Sequence, residues 1–304
     1  MNPVAKHDLW RPSLWPVWLG VGFLWLLHWL PLPLQAGLGN ALGWLLAHKP
    51  GRRRRIVATN LALCFPEADE AQRRRWLVQS FQASMRAVLE HGLLWWGSEA
   101  RLRRLIRLEN PEAALGDGTR PVIWLAPHFV GLDAGGVRLA MEHAAASMYA
   151  PAKDAVTDAM MWRGRARFRA PRLIAKHEGI KPVLRALKDG LPFYYLPDQD
   201  QGARNAVFAP FFGIPAATLS TLPRLAKLAG AQVVPVITRL LPGGRGYAVR
   251  FYPPWDDYPS GDLDADVARM NAFIEARIRD MPAQYLWLHR RFKTRPPGEP
   301  DLYG

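Results

Sequence analysis

His128 and Asp133 stand in the run "VIWLAPHFVGLDAGG", residues 122–136, with an apolar segment before them and small residues after. An imidazole held on one nitrogen by a carboxylate takes a proton on the other, which is general-base chemistry. Among 8 histidines, only His128 has an acid five residues on. The pair cannot work from one regular helix, because positions i and i+5 lie about 140° apart around its axis. They can meet if His128 occupies the turn after a strand and Asp133 the first turn of the next helix, where a carboxylate also suits the macrodipole. Pro127 and Gly131 favour such a turn. The competing reading is a histidine that ends a strand and has no chemical task.

Two further segments carry polar residues that chemistry can use. "LPDQD" puts Asp198 and Asp200 after an apolar run. They can edge a site or simply cap turns, and as a metal site they lack further ligands at a known spacing. "MMWRGRARFRAPR", residues 160–172, carries Arg163, Arg165, Arg167, Arg169 and Arg172. Such arginines bind phosphate or stabilise an oxyanion, or form a solvated face. The chain has no G-x-S-x-G elbow, no phosphate loop of the G-x-x-x-x-G-K-[ST] kind and no G-x-G-x-x-G after a strand. Cys64 is the single cysteine, which excludes an intrachain disulfide and a cysteine-rich zinc site.

The elements that must position these residues begin near residue 120. "PVIWLAP", "AASMYAP", "LPFYYLPD", "AQVVPVITRL" and "YAVRFYPPW" read as strands. "GIKPVLRALKDG", "STLPRLAKLAG" and residues 264–280, "DADVARMNAFIEARIRD", read as helices between and after them. Alternation of this kind implies a mainly parallel α/β sheet flanked by helices, with its site at the carboxyl ends of the strands. His128, Asp198 and Asp200 all fall there. Upstream, "EAQRRRWLVQSFQASMRAVLEHGLLWW" puts Trp76, Leu77, Phe81, Met85, Val88 and Leu89 near one helical face. The last segment, "RRFKTRPPGEPDLYG", reads as an extended tail.

Partners are suggested by composition. The 304 residues are 49% apolar and 22% charged, with 13 Trp and a net charge of +14. Such a chain folds around a core, and its basic surface seeks polyanions. Residues 14–30, "LWPVWLGVGFLWLLHWL", hold four Trp and no formal charge, and "HKPGRRRRI", residues 48–56, follows a second apolar run. An uncleaved membrane anchor over residues 1–48, with its basic cluster on anionic headgroups, is the favoured reading. A cleaved secretory signal and a buried apolar hairpin are the alternatives. No nucleic-acid-binding motif is visible, so lipid is the expected partner rather than nucleic acid.

The motifs together resemble the lipid A biosynthesis acyltransferases, the late lauroyl/myristoyl transferases of Gram-negative inner membranes, within the lysophospholipid acyltransferase superfamily marked by H-x4-D/E. The likeness runs through the apolar N-terminus, "NLALCFPE" (residues 60–67), the His128–Asp133 pair, "GRARF", "LPDQD" with "VFAPFFGIPAAT", and "QYLWLHRRFKTRP" (residues 284–296). Where many members read roughly "GHFGNWE", this chain has "PHFVGLD". The resemblance implies a glycerolipid-acyltransferase-like domain over residues 49–304 behind an N-terminal membrane helix. It further implies transfer of an acyl chain from acyl carrier protein to a hydroxyl of a phosphorylated glucosamine disaccharide bearing Kdo. No covalent intermediate, metal or cofactor is expected, and the catalytic domain would lie on the cytoplasmic side of the inner membrane. His128 would be the base, Asp133 would orient it, Arg165 would stabilise the oxyanion or grip substrate, and Asp198 would order the site wall. A lysophospholipid, ornithine lipid or other glycolipid is the alternative acceptor.

Overall fold

The structure, a computed structural model, describes residues 9–304; the first eight residues of the expected anchor lie outside them. Helix α1 (Trp15–Leu27) and helix α2 (Leu32–His48) follow one another, separated by a turn at residues 28–31. Pro31 disfavours helical geometry at Leu30, while Pro33 sits in the first turn of α2, where its missing N–H costs nothing. The turn changes the expected anchor. The 13 residues of α1 rise about 20 Å and the 17 of α2 about 26 Å, against a hydrocarbon core of about 30 Å. Among the described residues, no helix is long and apolar enough to cross a membrane, so the expected membrane-spanning helix is not found.

Instead, α2 is docked. It buries Leu32, Gln35, Ala36, Gly39, Gly43 and Ala47, a three-and-four spacing that makes one face. That face meets α4 (Glu70–Leu89), which follows α3 (Arg52–Cys64). Gly43 permits the contact, since a Cβ there would stand 2.4 Å from Gln82 Cα. The remaining sides of both N-terminal helices are exposed and largely apolar, with Trp15, Leu19, Trp25, Leu38 and Trp44 among them. The expected long amphipathic helix is two, α4 and α5 (His91–Trp96), and α6 (Glu99–Leu105) leads into the sheet.

Seven strands form that sheet: β1 (Ile106–Glu109), β2 (Val122–Leu125), β3 (Ala146–Tyr149), β4 (Arg172–Ala175), β5 (Phe193–Tyr195), β8 (Gln232–Leu240) and β9 (Tyr247–Phe251). Their order is β1-β9-β8-β2-β5-β3-β4, and only the β8–β9 pairing is antiparallel. The expected mainly parallel α/β sheet is therefore present. Short apolar β2 is buried throughout, as a central parallel strand must be. Helices α7 (Leu132–Glu142), α8 (Ala155–Arg165), α9 (Lys181–Lys188), α10 (Thr221–Ala229) and α11 (Leu263–Asp280) complete the fold. The five expected strands all form. Sequence pattern did not reveal β1, β4 or the separate antiparallel hairpin of β6 (Ala206–Phe211) and β7 (Ile214–Leu219), which contains the Phe-rich "VFAPFFG".

The C-terminal segment, expected as an extended tail, has little regular structure but is packed down: Arg291 and Phe292 are buried, as is Trp287 just before it. Asn60 on α3 donates to the carbonyls of Trp287 and His289 at 2.8 and 2.9 Å, and accepts from the Tyr303 hydroxyl. Arg291 donates to the Ala217 carbonyl and Thr218 Oγ1 on β7. Buried carbonyls that need donors explain why an asparagine early in the chain and a segment near its end work together.

Candidate active site

Leu125 of β2 pairs with Tyr195 of β5. Three residues beyond each stand His128 and Asp198, at equivalent positions past the ends of adjacent parallel strands. Strands about 4.8 Å apart bring such side chains within reach of one another. His128 Nδ1 lies 2.7 Å from Asp198 Oδ1, and the His128 backbone N–H donates to Oδ2 at 2.9 Å. Tyr285 donates its hydroxyl to the same Oδ2 at 2.8 Å. Burial alone would raise the Asp198 carboxyl, but the His128 charge and these hydrogen bonds outweigh it and hold the group down at about 2. The carboxylate is therefore ionised and acceptor-only, so Nδ1–H is the donor in this hydrogen bond and Nε2 is the ring nitrogen left free of it. The imidazole side chain is 17% exposed and lines a cavity of about 850 Å³.

This overturns the expected pairing. The carboxylate on His128 is Asp198, not Asp133. Asp133 does sit in the first turn of α7 as expected, but it accepts from Arg165 at 2.9 Å and lies 3.4 Å from His91 Nε2. Burial would raise its carboxyl; the Arg165 and His91 charges more than offset that and hold it well below the usual range. Burial would likewise lower His91, yet the Asp133 hydrogen bond and charge hold it above its ordinary value. Close packing of α7 on the sheet places Asp133. At Gly135 a Cβ would stand 2.1 Å from Thr238 Oγ1, so only glycine fits there.

Asp133, Arg165 and His128 line the same cavity, whose walls are mostly apolar, with Val137 from α7, Met148 from β3 and Leu225 from α10. Of the other arginines in the run, Arg167 and Arg169 donate to backbone carbonyls and Arg172 pairs with Asp189. Arg163 is exposed. Of these five arginines, only Arg165 lines the cavity. Asp200 is buried and structural: it accepts from the Thr294 backbone and hydroxyl, and its own N–H donates to His289 Nε2. No cluster able to hold a metal occurs among the described residues.

Sequence reasoning missed Tyr285. It pairs with Phe129 in an antiparallel bridge, while Val130 N–H donates to the Gln284 carbonyl and Leu286 N–H to the His128 carbonyl. Gln284–Leu286 thus forms a backbone brace for the histidine turn. Its one signal in the sequence is its place in the segment "QYLWLHRRF", which has no helical or strand periodicity.

His289 supplies a pH prediction. Burial and the Arg291 charge lower its imidazole to about 4 from an ordinary value near 6.5. Between these values the unfolded chain binds a proton that the folded chain does not, so stability falls as pH drops from 6.5 to 4. His289→Gln retains an acceptor for the Asp200 N–H without titrating. Thermal melts across this window are expected to show a flatter pH slope for the variant; an unchanged slope contradicts the assignment.

Fold and site define a class: an α/β enzyme whose oriented imidazole faces a cavity suited to an apolar chain. The family model described as bacterial lipid A biosynthesis acyltransferase matches residues 3–294. The lipid A biosynthesis lauroyltransferase of Escherichia coli (strain K12) is 36% identical over 99% of this chain and 99% of its own. The palmitoleoyltransferase and myristoyltransferase of the same organism are 33% and 31% identical, covering 100% and 96% of this chain and 100% and 91% of their own. A solved 1-acyl-sn-glycerophosphate acyltransferase from Thermotoga maritima covers 76% of the chain and 98% of its own, with a TM-score of 0.36 and 14% identity, too distant to bear on the argument. The chain belongs to the bacterial lipid A biosynthesis acyltransferase family, and it is an acyltransferase.

Proposed function

We propose that the protein moves a fatty acyl chain from an acyl carrier protein thioester to a hydroxyl of a lipid A precursor. The observation that carries this reading is the His128–Asp198 pair opening on a large, mostly apolar cavity. His128 Nε2 takes the proton of the acceptor hydroxyl as its oxygen attacks the thioester carbonyl. The carbon–sulfur bond breaks, and the leaving thiolate takes the proton from the imidazolium. Asp198 holds the ring and balances the imidazolium charge. Asp133, itself clamped by His91, holds the Arg165 guanidinium at the cavity, where it faces the developing oxyanion or grips substrate. The test is mass spectrometry of lipid A from cells lacking the protein: lipid A short of one secondary acyl chain is expected, and an unchanged lipid A rejects the reading.

Residues 1–48 supply the membrane contact and residues 49–304 the acyltransferase domain. Exposed apolar side chains on α1 and α2, several of them Trp, suit a bilayer interface at the cytoplasmic face of the inner membrane. The net charge of +14 suits anionic headgroups and an acidic carrier protein alike.

Cavity length then selects the chain, since each buried methylene contributes about 0.8 kcal/mol, or about fourfold in affinity. Gly136 lines the cavity, and a Cβ there would lie in ordinary contact with Tyr194 at 3.6 Å. Gly136→Met projects further, so competition assays with thioesters of graded length are expected to shift preference to shorter chains. An unshifted profile contradicts the assignment of this cavity to the acyl group.

A further inference from the structure

A second cavity, of about 700 Å³, lies beside the first. Gln199, between Asp198 and Asp200, lines both. Lys49, Arg52, Arg53 and Arg54 form its rim, Leu46 and Met85 contribute apolar wall, and no acidic side chain lines it. Arg53 and Arg54 are held by the carbonyls of Leu288 and Ala47 at 2.9 and 3.0 Å. The side chains of Lys49 and Arg52 are exposed and make no hydrogen bond or ion pair among the described residues. Four arginines open α3, where the helix dipole is already positive, and the first turn holds no acidic residue and no side-chain cap. Like charge concentrated in this way is unfavourable until an anion joins it.

We propose that this cavity is a subsite for a phosphomonoester carried by an amphiphile, the phosphate of the acceptor; the inference rests on the proposed acyl transfer to a lipid A precursor. A free phosphate has no use for apolar walls, whereas an acceptor lying along exposed α2 puts its chains beside Leu46 and its phosphate on Lys49 and Arg52. Gln199 then marks the path from phosphate to the hydroxyl that His128 deprotonates.

The test compares the phosphorylated acceptor with its enzymatically dephosphorylated form, in both turnover and equilibrium binding in detergent. Wild type is expected to prefer the phosphorylated form by about tenfold or more, the scale of a charge-assisted hydrogen bond. In the Lys49→Ala/Arg52→Ala double variant, both side chains being exposed, that preference collapses toward one while the melting temperature stays near wild type; Arg52→Lys retains much of it. A wild type indifferent to the phosphate, or a preference that persists in the double variant, overturns the subsite. Preference persisting while binding to phosphatidylglycerol vesicles falls assigns the rim to the membrane surface and overturns it too, as does a raised KM for the acyl carrier thioester alone. Phosphate-dependent binding without any acyl transfer rejects the proposed reaction but leaves the subsite standing.

Discussion

His128→Ala is expected to lower acyl transfer about 10²–10⁴-fold, the usual contribution of a positioned base. The imidazole has one partner of consequence, Asp198, and that carboxylate keeps the His128 backbone N–H and the Tyr285 hydroxyl when the ring is removed. The fold should therefore persist, with circular dichroism and melting temperature close to wild type. Single-turnover rates with thioester and acceptor both saturating separate chemistry from binding. The loss belongs in the chemical step, because the imidazole acts on a proton in flight rather than on the bound chain. Near wild-type rates from a folded variant remove the catalytic assignment.

Asp198→Asn is the second large effect, also expected at about 10²–10⁴-fold. An amide replaces the charge that balances the imidazolium, and its NH₂ competes for the position that now accepts from Nδ1. The more telling result is how losses combine. Residues that act as a unit show losses far smaller together than their sum. Adding Asp198→Asn to His128→Ala is expected to cost little more than His128→Ala alone. Asp133→Asn and Arg165→Ala are expected to behave as a second unit, since Asp133 bonds Arg165 rather than the imidazole. The opposite grouping, with Asp133 coupled to His128 and Asp198 independent of it, contradicts the observed pairing.

That grouping was not legible from spacing. His128 and Asp133 are close in the chain, yet the hydrogen bond joins His128 to a residue 70 positions away. Parallel register makes the connection: β2 and β5 are neighbours, and equal steps past Leu125 and Tyr195 reach the two side chains. Sequence patterning detects a buried strand but not its neighbour. It therefore placed His128 and Asp198 at the same sheet edge without joining them. Tyr285 was harder still, because it acts from an irregular segment with no periodicity.

Elsewhere the sequence was informative where burial is periodic or continuous. The apolar runs of β2, β5 and β8 and the amphipathic α11 are where they were expected. The strands β1, IRLE, and β4, RLIA, carry charged residues within their four positions, so no apolar run marks them. The N-terminal run misled for a different reason. Hydropathy over residues 14–30 measures apolarity, whereas a span also needs unbroken length, and α1 ends at Leu27.

The most direct measurement gives the purified protein an acyl carrier protein thioester together with the phosphorylated glucosamine disaccharide precursor, with lysophosphatidic acid in a parallel reaction, and weighs the products. The expected result is a precursor heavier by one acyl chain with wild type, and almost none with His128→Ala. Acylation of lysophosphatidic acid but not of the precursor, or undiminished transfer by the alanine variant, contradicts it.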